Sequence, residues 1–151
     1  MNSHPFQYNN WIFAHNGSVE GSYLPPLLDD KYEKKNIGQT DSEVFFYWIL
    51  QCIEKQKNVV EGIRVAIQEV IKGNYTGLNF LLSNGKNLYA FRYSHHDCDR
   101  NKYSLFKFKR DPSECGPEEL KSKVTGAEIR SKSLRGERAV LVCSEDLTEE
   151  N

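Results

Sequence analysis

The sequence has almost no net charge, because 20 lysines and arginines stand against 21 aspartates and glutamates among its 151 residues. A protein that binds nucleic acid through its phosphates usually carries a basic surplus, which attracts the polyanion. The balance of charge therefore argues against a nucleic-acid partner.

Long apolar runs are also missing. No stretch approaches the roughly 18 apolar residues that a membrane-spanning helix needs, and the first residues lack the basic and apolar segments of a secretory signal. We therefore expect a cytoplasmic protein with no membrane partner. With 38% apolar and 12% aromatic residues, the chain can still form a hydrophobic core, and its length suits one domain over residues 1–151.

The four cysteines form no C-x-x-C pair, and Cys52 and Cys143 lie within apolar runs, so we expect reduced, partly buried thiols. Potential metal ligands crowd together at His95–Asp99. Adjacent residues of a turn rarely converge on one ion, and no second ligand pair lies at a suitable spacing. We therefore expect a solvated turn there, no metal site and no cofactor.

The first half of the chain predicts one strand and two helices. The strand covers 11–14 and ends in a turn at Asn16 and Gly17, and a surface excursion over 18–39 contains one helical turn near 27–31. The helices begin after the capping sequence 40–43 and at residue 59, and the second is closed at Gly73. Apolar residues at helical spacing predict their buried faces, namely Phe45, Trp48, Ile49, Cys52 and Ile53, then Val60, Ile63, Ile67, Val70 and Ile71.

The second half predicts mainly strands. Runs over 75–82 and 87–93 flank an Asn-Gly pair, which is typical of a hairpin, and a further strand over 103–110 directs Phe106 and Phe108 to the core. A short helix or loop follows near 118–123, and the apolar run 139–143 predicts a strand covered on both faces. The fold class is therefore α+β, with helices layered on a mainly antiparallel sheet.

Two places invite a functional interpretation. A strand that ends at Asn16 and Gly17 can present a side-chain amide and a backbone N–H together, as an oxyanion requires, although Asn-Gly can also be only a turn. Asp41 lies in the first turn of a helix, where the helix dipole favours a carboxylate. It could bind a ligand's ammonium group or could simply cap the helix.

Four segments in order resemble the class II glutamine amidotransferase domain, in particular its stand-alone bacterial and archaeal members. These segments are His4-Pro5-Phe6, the Trp11–Gly17 stretch W-I-F-A-H-N-G, the Gly38–Glu43 stretch G-Q-T-D-S-E, and Ser144–Thr148. The pairing of F-A-H-N-G with T-D-S-E is the specific part. The resemblance implies an Ntn-hydrolase αββα sandwich.

The resemblance also implies roles for three residues. Asn16 and Gly17 would form the oxyanion hole, and Asp41, with Gly17 beside it, would hold the α-ammonium group of glutamine. Such a domain binds glutamine or a related amide and releases ammonia through a cysteinyl thioester, either to a synthase subunit or by plain hydrolysis. No metal or cofactor is implied.

The start of the sequence departs from that family. The family's nucleophile is an N-terminal cysteine, whereas this chain begins Met1-Asn2-Ser3, and no residue can be assigned to the arginine that binds the substrate carboxylate. We therefore expect a partial domain without its first strands, inactive alone and forming a homodimer through exposed strand edges. The alternative is a non-catalytic remnant that acts as a ligand-binding or protein-interaction module.

Overall fold

The computed structural model describes residues 4–20, 24–36, 40–95, 102–110, 119–122, 124–130 and 138–148. The chain divides into two compact units, Met1–Tyr103 and Ser104–Asn151. The prediction of a single domain over the whole chain stays a prediction.

A four-stranded antiparallel sheet forms the first unit's frame. Its strands are adjacent in the order β1, β2, β3 and β4, and their bounds are Phe6–Tyr8, Trp11–Asn16, Asn79–Ser83 and Leu88–Phe91. The first of these strands was not predicted. The predicted hairpin is confirmed, because β3 and β4 pair antiparallel across a turn in which Gly85 has a φ of +81°. The Asn84 side chain accepts hydrogen bonds from the N–H groups of Lys86 and Asn87, which fixes this turn.

The helices follow the predicted starts closely. A 3-10 helix over Pro25–Leu27 and α1 over Asp30–Glu33 lie in the predicted excursion, and α2 and α3 span Asp41–Gln56 and Val59–Val70. The Thr40 side chain accepts from the Glu43 N–H, and Asn58 caps α3 in the same way. Each cap satisfies one backbone donor that the first turn leaves without a partner.

The end of α3 and part of its buried face differ from prediction. Ile71, not Gly73, is the C-cap, and it adopts an ordinary right-handed conformation. Ile63, Ile67 and Val70 are buried as predicted, together with Gly62 and Ala66, whereas Val60 and Ile71 of the predicted face are 66% and 39% exposed. The small residues Gly62 and Ala66 form part of the contact face. A prediction from the spacing of large apolar side chains does not include them.

The core of the first unit lies between the helices and one face of the sheet. Phe13 from β2 and Phe80 from β3 meet Phe46 and Phe45 from α2, and all four rings are buried. The Phe13 ring stacks on Phe46 with centroids 5.2 Å apart. Alternation along β2 that buries Phe13 also buries His15 and directs Asn16 outward.

The described residues of the second unit form two small antiparallel sheets. Strands β5 and β8 pair over Phe106–Arg110 and Ala139–Cys143, while β6, β7 and β9 span Glu119–Ser122, Glu128–Arg130 and Leu147–Thr148. The predicted strands over 103–110 and 139–143 are therefore confirmed, in shorter form for the first.

Three expectations for the second unit are wrong. The segment predicted as helix or loop near 118–123 contains the strand β6, because pairing with β7 and β9 buries Leu120. Phe106 is 39% exposed rather than a core residue, and Val140 is 55% exposed, so β8 is not covered on both faces. Antiparallel strands commonly leave one face open, so a continuous apolar run in such a strand does not require cover on both faces.

The fold is α+β, with helices on a mainly antiparallel sheet, as predicted. Within the part of the chain that the structure describes, no helix is long and apolar enough to cross a membrane. Cys52 and Cys143 are free thiols, whereas Cys98 and Cys115 lie outside the described residues.

Candidate functional site

Asn16 and Gly17 lie at the end of β2, at the point where the chain leaves the sheet. Asn16 is the last residue of the strand, is exposed, and pairs in register with Asn79 on β3. Gly17 has a φ of +142°, which residues with a side chain rarely adopt. A Cβ atom on Gly17 would lie 1.8 Å from the carbonyl oxygen of Gly77. The predicted sharp turn is thus confirmed, and only glycine fits it.

Hydrogen bonds hold the segment after Gly17 against the segment before β3. The Ser18 N–H donates to the Thr76 side chain over 3.0 Å, and the Thr76 N–H donates to the Ser18 carbonyl over 3.0 Å. The Glu20 N–H donates to the Asn74 carbonyl over 2.8 Å. These contacts fix the backbone beside the proposed oxyanion donors, and fixed donors need no reorganisation when charge develops.

Asp41 is the first residue of α2, and its carboxylate binds the segment that follows Gly17. Its Oδ2 accepts a hydrogen bond from the Val19 N–H over 2.8 Å, and its Oδ1 accepts from the Ser42 N–H over 2.7 Å. The structure therefore brings Asp41 next to the loop that begins at Asn16 and Gly17. A carboxylate oxygen can accept more than one hydrogen bond, so Asp41 can still receive an ammonium ligand.

His15 was not among the predicted site residues, yet it joins the same group. Its Nδ1 lies 2.9 Å from the Ser42 Oγ, and its Nε2 lies 3.1 Å from the Gly77 carbonyl oxygen. Burial lowers the pKa of His15, while the Gly77 carbonyl and the Asp41 charge act in the opposite direction. Side chains two positions apart on a strand point to the same face, so a buried Phe13 could have indicated that the His15 imidazole is buried as well.

Asn79 is a second buried polar residue that the sequence did not single out. Its Nδ2 donates to the Tyr103 carbonyl over 2.7 Å, and its Oδ1 accepts from the Tyr93 N–H over 3.1 Å. Arg92 donates to the same Tyr103 carbonyl through Nε over 2.9 Å. Asn79 therefore uses its amide to fix the backbone beside β3, which makes its role structural.

No group of three or more His, Cys, Asp or Glu residues suited to a metal ion occurs among the described residues. Of the cluster His95–Asp99, only His95 is described, and the solvated turn predicted there lies largely outside those residues. The site around Asn16 and Asp41 thus offers an exposed amide, a glycine turn and a half-buried carboxylate. Such a set can bind an amide carbonyl at one end and an ammonium group at the other.

Comparisons with known proteins point to one family. The family model for class-II glutamine amidotransferases matches residues 1–151. An uncharacterized protein of Methanocaldococcus jannaschii is 36% identical over 99 residues, which are 61% of this chain and 27% of that protein. A solved glutamine aminotransferase class-II domain protein from Silicibacter pomeroyi aligns with a TM-score of 0.58 and 29% identity, over 71% of this chain and 53% of the solved one. The chain therefore spans about a quarter of the curated relative and about half of the solved structure.

Proposed function

The chain belongs to the class-II glutamine amidotransferases, and we propose that the loop after β2 and the start of α2 together bind glutamine. Asp41 receives the α-ammonium group, Gly17 lines the pocket beside it, and Asn16 and Gly17 donate to the side-chain carbonyl oxygen of the substrate. Glutamine suits such a site because it carries a cation to anchor and a carbonyl oxygen that becomes negative during attack.

The observation that carries this proposal is the hydrogen bond from the Val19 N–H to Asp41 Oδ2. It ties the helix-start carboxylate to the loop that begins with the two candidate oxyanion donors. A carboxylate that only capped its own helix would need no contact with residues 22 positions earlier.

Ammonia release requires a nucleophile as well as a binding site, and the described thiols are poorly suited to that role. Burial raises the pKa of Cys52 to about 11, and burial also raises the pKa of Cys143. Little thiolate would exist on either at neutral pH. Moreover, all four cysteines lie inside the sequence, where no free α-amino group can act as their base. We propose that the 151-residue chain binds glutamine but does not hydrolyse it alone.

Calorimetric titration of the full chain with L-glutamine tests the binding site. Asp41→Asn should weaken binding about tenfold or more, because it removes the charge that pairs with the ammonium group. Glu43→Gln removes a charge from the same first turn of α2 and serves as the matched control, which should bind as the wild type does. Glutaric acid monoamide lacks the ammonium group and should not distinguish Asp41→Asn from the wild type.

Three outcomes would contradict the proposal. Absence of L-glutamine binding at millimolar concentration would rule out the binding site, and equal binding by wild type and Asp41→Asn would rule out the role of Asp41. Ammonia release at an enzymatic rate by the isolated chain would overturn the expected inactivity.

In a form that does turn over glutamine, Asn16→Ala should lower kcat by about two to three orders of magnitude, the usual cost of one oxyanion donor.

Binding without ammonia release would leave the non-catalytic module as the second candidate function. The burial of Cys52 and the partial burial of Cys143, which raises the pKa of each, is the observation among the described thiols that favours it. In an active form, we propose an ammonia-accepting synthase subunit as the natural partner, and we propose a homodimer for the chain. A monomeric mass in light scattering would contradict the homodimer.

A further inference from the structure

His15 is a buried imidazole in an otherwise aromatic part of the core. Its ring lies 6.1 Å from Phe13 and 5.3 Å from Phe45, measured between centroids, and its residue is 8% exposed. Both ring nitrogens nevertheless have polar partners, namely the hydroxyl of Ser42 and the carbonyl of Gly77. When both ring nitrogens of a buried histidine have a polar partner, those partners determine which nitrogen carries the hydrogen of the neutral ring.

The partners decide where the proton of the neutral ring lies. A carbonyl oxygen can only accept, so Nε2 carries the hydrogen that is shared with Gly77. In the neutral ring, Nδ1 is then an acceptor, and the Ser42 hydroxyl donates to it over 2.9 Å. Burial is the largest influence on His15 and favours this neutral form.

Ser42 connects the imidazole to the carboxylate. Its Oγ lies 2.9 Å from His15 Nδ1 and 3.3 Å from Asp41 Oδ1. One hydroxyl has one proton, so it cannot donate to both groups at once. While His15 is neutral, the Ser42 hydroxyl donates to the closer imidazole, so among the described residues the Ser42 N–H remains as the donor to that Asp41 oxygen.

We propose that His15 is a positioning residue for the ligand's ammonium group. By accepting a hydrogen bond from the Ser42 hydroxyl, the imidazole directs the hydroxyl hydrogen away from Asp41. The Asp41 carboxylate then remains available to the ligand's cation. This inference rests on the proposed function for the identity of the ligand. The hydrogen-bond coupling from His15 through Ser42 to Asp41 can be measured without any ligand.

Protonation of His15 would reverse the arrangement. Both ring nitrogens of the cation donate, so the Ser42 Oγ accepts from Nδ1 and turns its own hydrogen to Asp41 Oδ1. That hydrogen then competes with the ligand's ammonium group. The titratable groups whose charges act on His15 are Asp41 from α2 and His4 from the segment before β1, while Phe80 is its neighbour on β3.

Nuclear magnetic resonance on the full chain, without ligand, tests the coupling. Imidazole nitrogen shifts should show the Nε2–H form at pH 7.5. The Val19 amide, which donates to Asp41, should shift with the same midpoint as the His15 ring as the pH falls from about 7.5 to 5. Ser42→Ala should abolish this response of Val19 while His15 still titrates.

His15→Gln provides a second variant, because a glutamine amide can donate and accept in the same place but does not titrate. Its Val19 amide should not respond in this pH range. A Val19 amide that is flat in the wild type, or that titrates equally in Ser42→Ala, would overturn the inference. A histidine that served only in packing would leave the Val19 amide unaffected by its own titration.

The affinity for L-glutamine over the same pH range extends the test to the ligand. It should fall about threefold or more in the wild type and stay nearly constant in both variants, while glutaric acid monoamide shows no such pH dependence. If the amide coupling is present but L-glutamine does not bind at any pH, the proposed function fails and the coupling stands. If L-glutamine binds with no pH dependence in the wild type, the role of His15 in binding is wrong.

Discussion

At the scale of single residues, Gly17 leaves no room for a side chain. It combines a φ of +142° with a backbone contact that any Cβ would violate, 1.8 Å from the Gly77 oxygen. Gly85 also has a positive φ, of +81°, but a Cβ added there would have no heavy atom within 4 Å beyond its chain neighbours. Substitution of Gly85 therefore measures the conformational cost of a side chain alone, whereas substitution of Gly17 adds the steric cost of the contact with Gly77.

Gly17→Ala should lower the free energy of unfolding by about 3 kcal/mol or more, because the backbone of β2 or of the Gly77 segment must move. Gly85→Ala should cost only about 1 kcal/mol, the penalty of a positive φ for a residue with a Cβ. Urea denaturation of both variants measures the difference. Equal losses would show that the contact with Gly77 is not the constraint.

His15 should also make stability depend on pH. Its pKa is lowered in the folded chain, so the unfolded chain binds more protons below the ordinary value of 6.5, and stability should fall as the pH drops through that range. The pKa of His4 is lowered too, again chiefly by desolvation, but His4 is exposed. Both histidines should therefore lower the stability as the pH drops, and the buried His15 should contribute the larger part of that loss.

Urea midpoints between about pH 7.5 and 5 test this dependence. The slope of stability against pH should be smaller in His15→Gln than in the wild type, and His4→Gln should retain most of the wild-type slope. A His15→Gln variant with an unchanged slope would show that other groups cause the dependence.

At the scale of elements, the crossing of α2 and α3 depends on Gly62. A Cβ at this position would lie 2.4 Å from the Cα of Ile53, so the backbones of the two helices approach too closely for a side chain. Helix propensity alone would make Gly62→Ala stabilising by about 1 kcal/mol. Contact with the backbone of α2 reverses that expectation.

Gly62→Ala should therefore destabilise the chain by about 1–2 kcal/mol, since overpacking between helices exceeds the gain in propensity. Val60→Ala lies in the same helix at an exposed position and should change stability by less than about 0.5 kcal/mol. Thermal or urea unfolding of the pair checks the sign. A stabilised Gly62→Ala would mean that the helices separate at little cost.

Local signals explain which elements could be predicted from sequence. The Asn84-Gly85 turn, the Thr40 cap and the Asn16-Gly17 turn each depend on residues within four positions, and each is confirmed. The strand β6 could not be found in this way, because only its pairing with β7 and β9 makes Leu120 a core residue.

The candidate site shows the same limit. The resemblance placed Asn16, Gly17 and Asp41, and the structure brings the loop after the first two to the third. The alternation along β2 could have placed His15 inside, but its partners Ser42 and Gly77 lie 27 and 62 positions away. Contacts over such separations leave no local pattern in the sequence, so the connection of His15 to the site could not be predicted.

At the scale of the whole molecule, the described residues of the two units differ in how many of their side chains are buried. The first has a sheet, two long helices and a large cluster of buried side chains. Among the described residues of the second, Leu120 and Ser122 are the ones that are buried, and its sheets have two and three strands. Sheets of that size with so little apolar burial are rarely stable alone.

We therefore propose that the chain unfolds as one cooperative domain. Pulsed hydrogen exchange at increasing urea, read by peptide mass spectrometry, should give the same midpoint for α2 in the first unit and for β8 in the second. Fluorescence of Trp11 and Trp48, both in the first unit, provides an independent midpoint for that unit. A lower midpoint for β8 than for α2 would mean that the second unit unfolds separately, and the single domain over residues 1–151 would then be wrong.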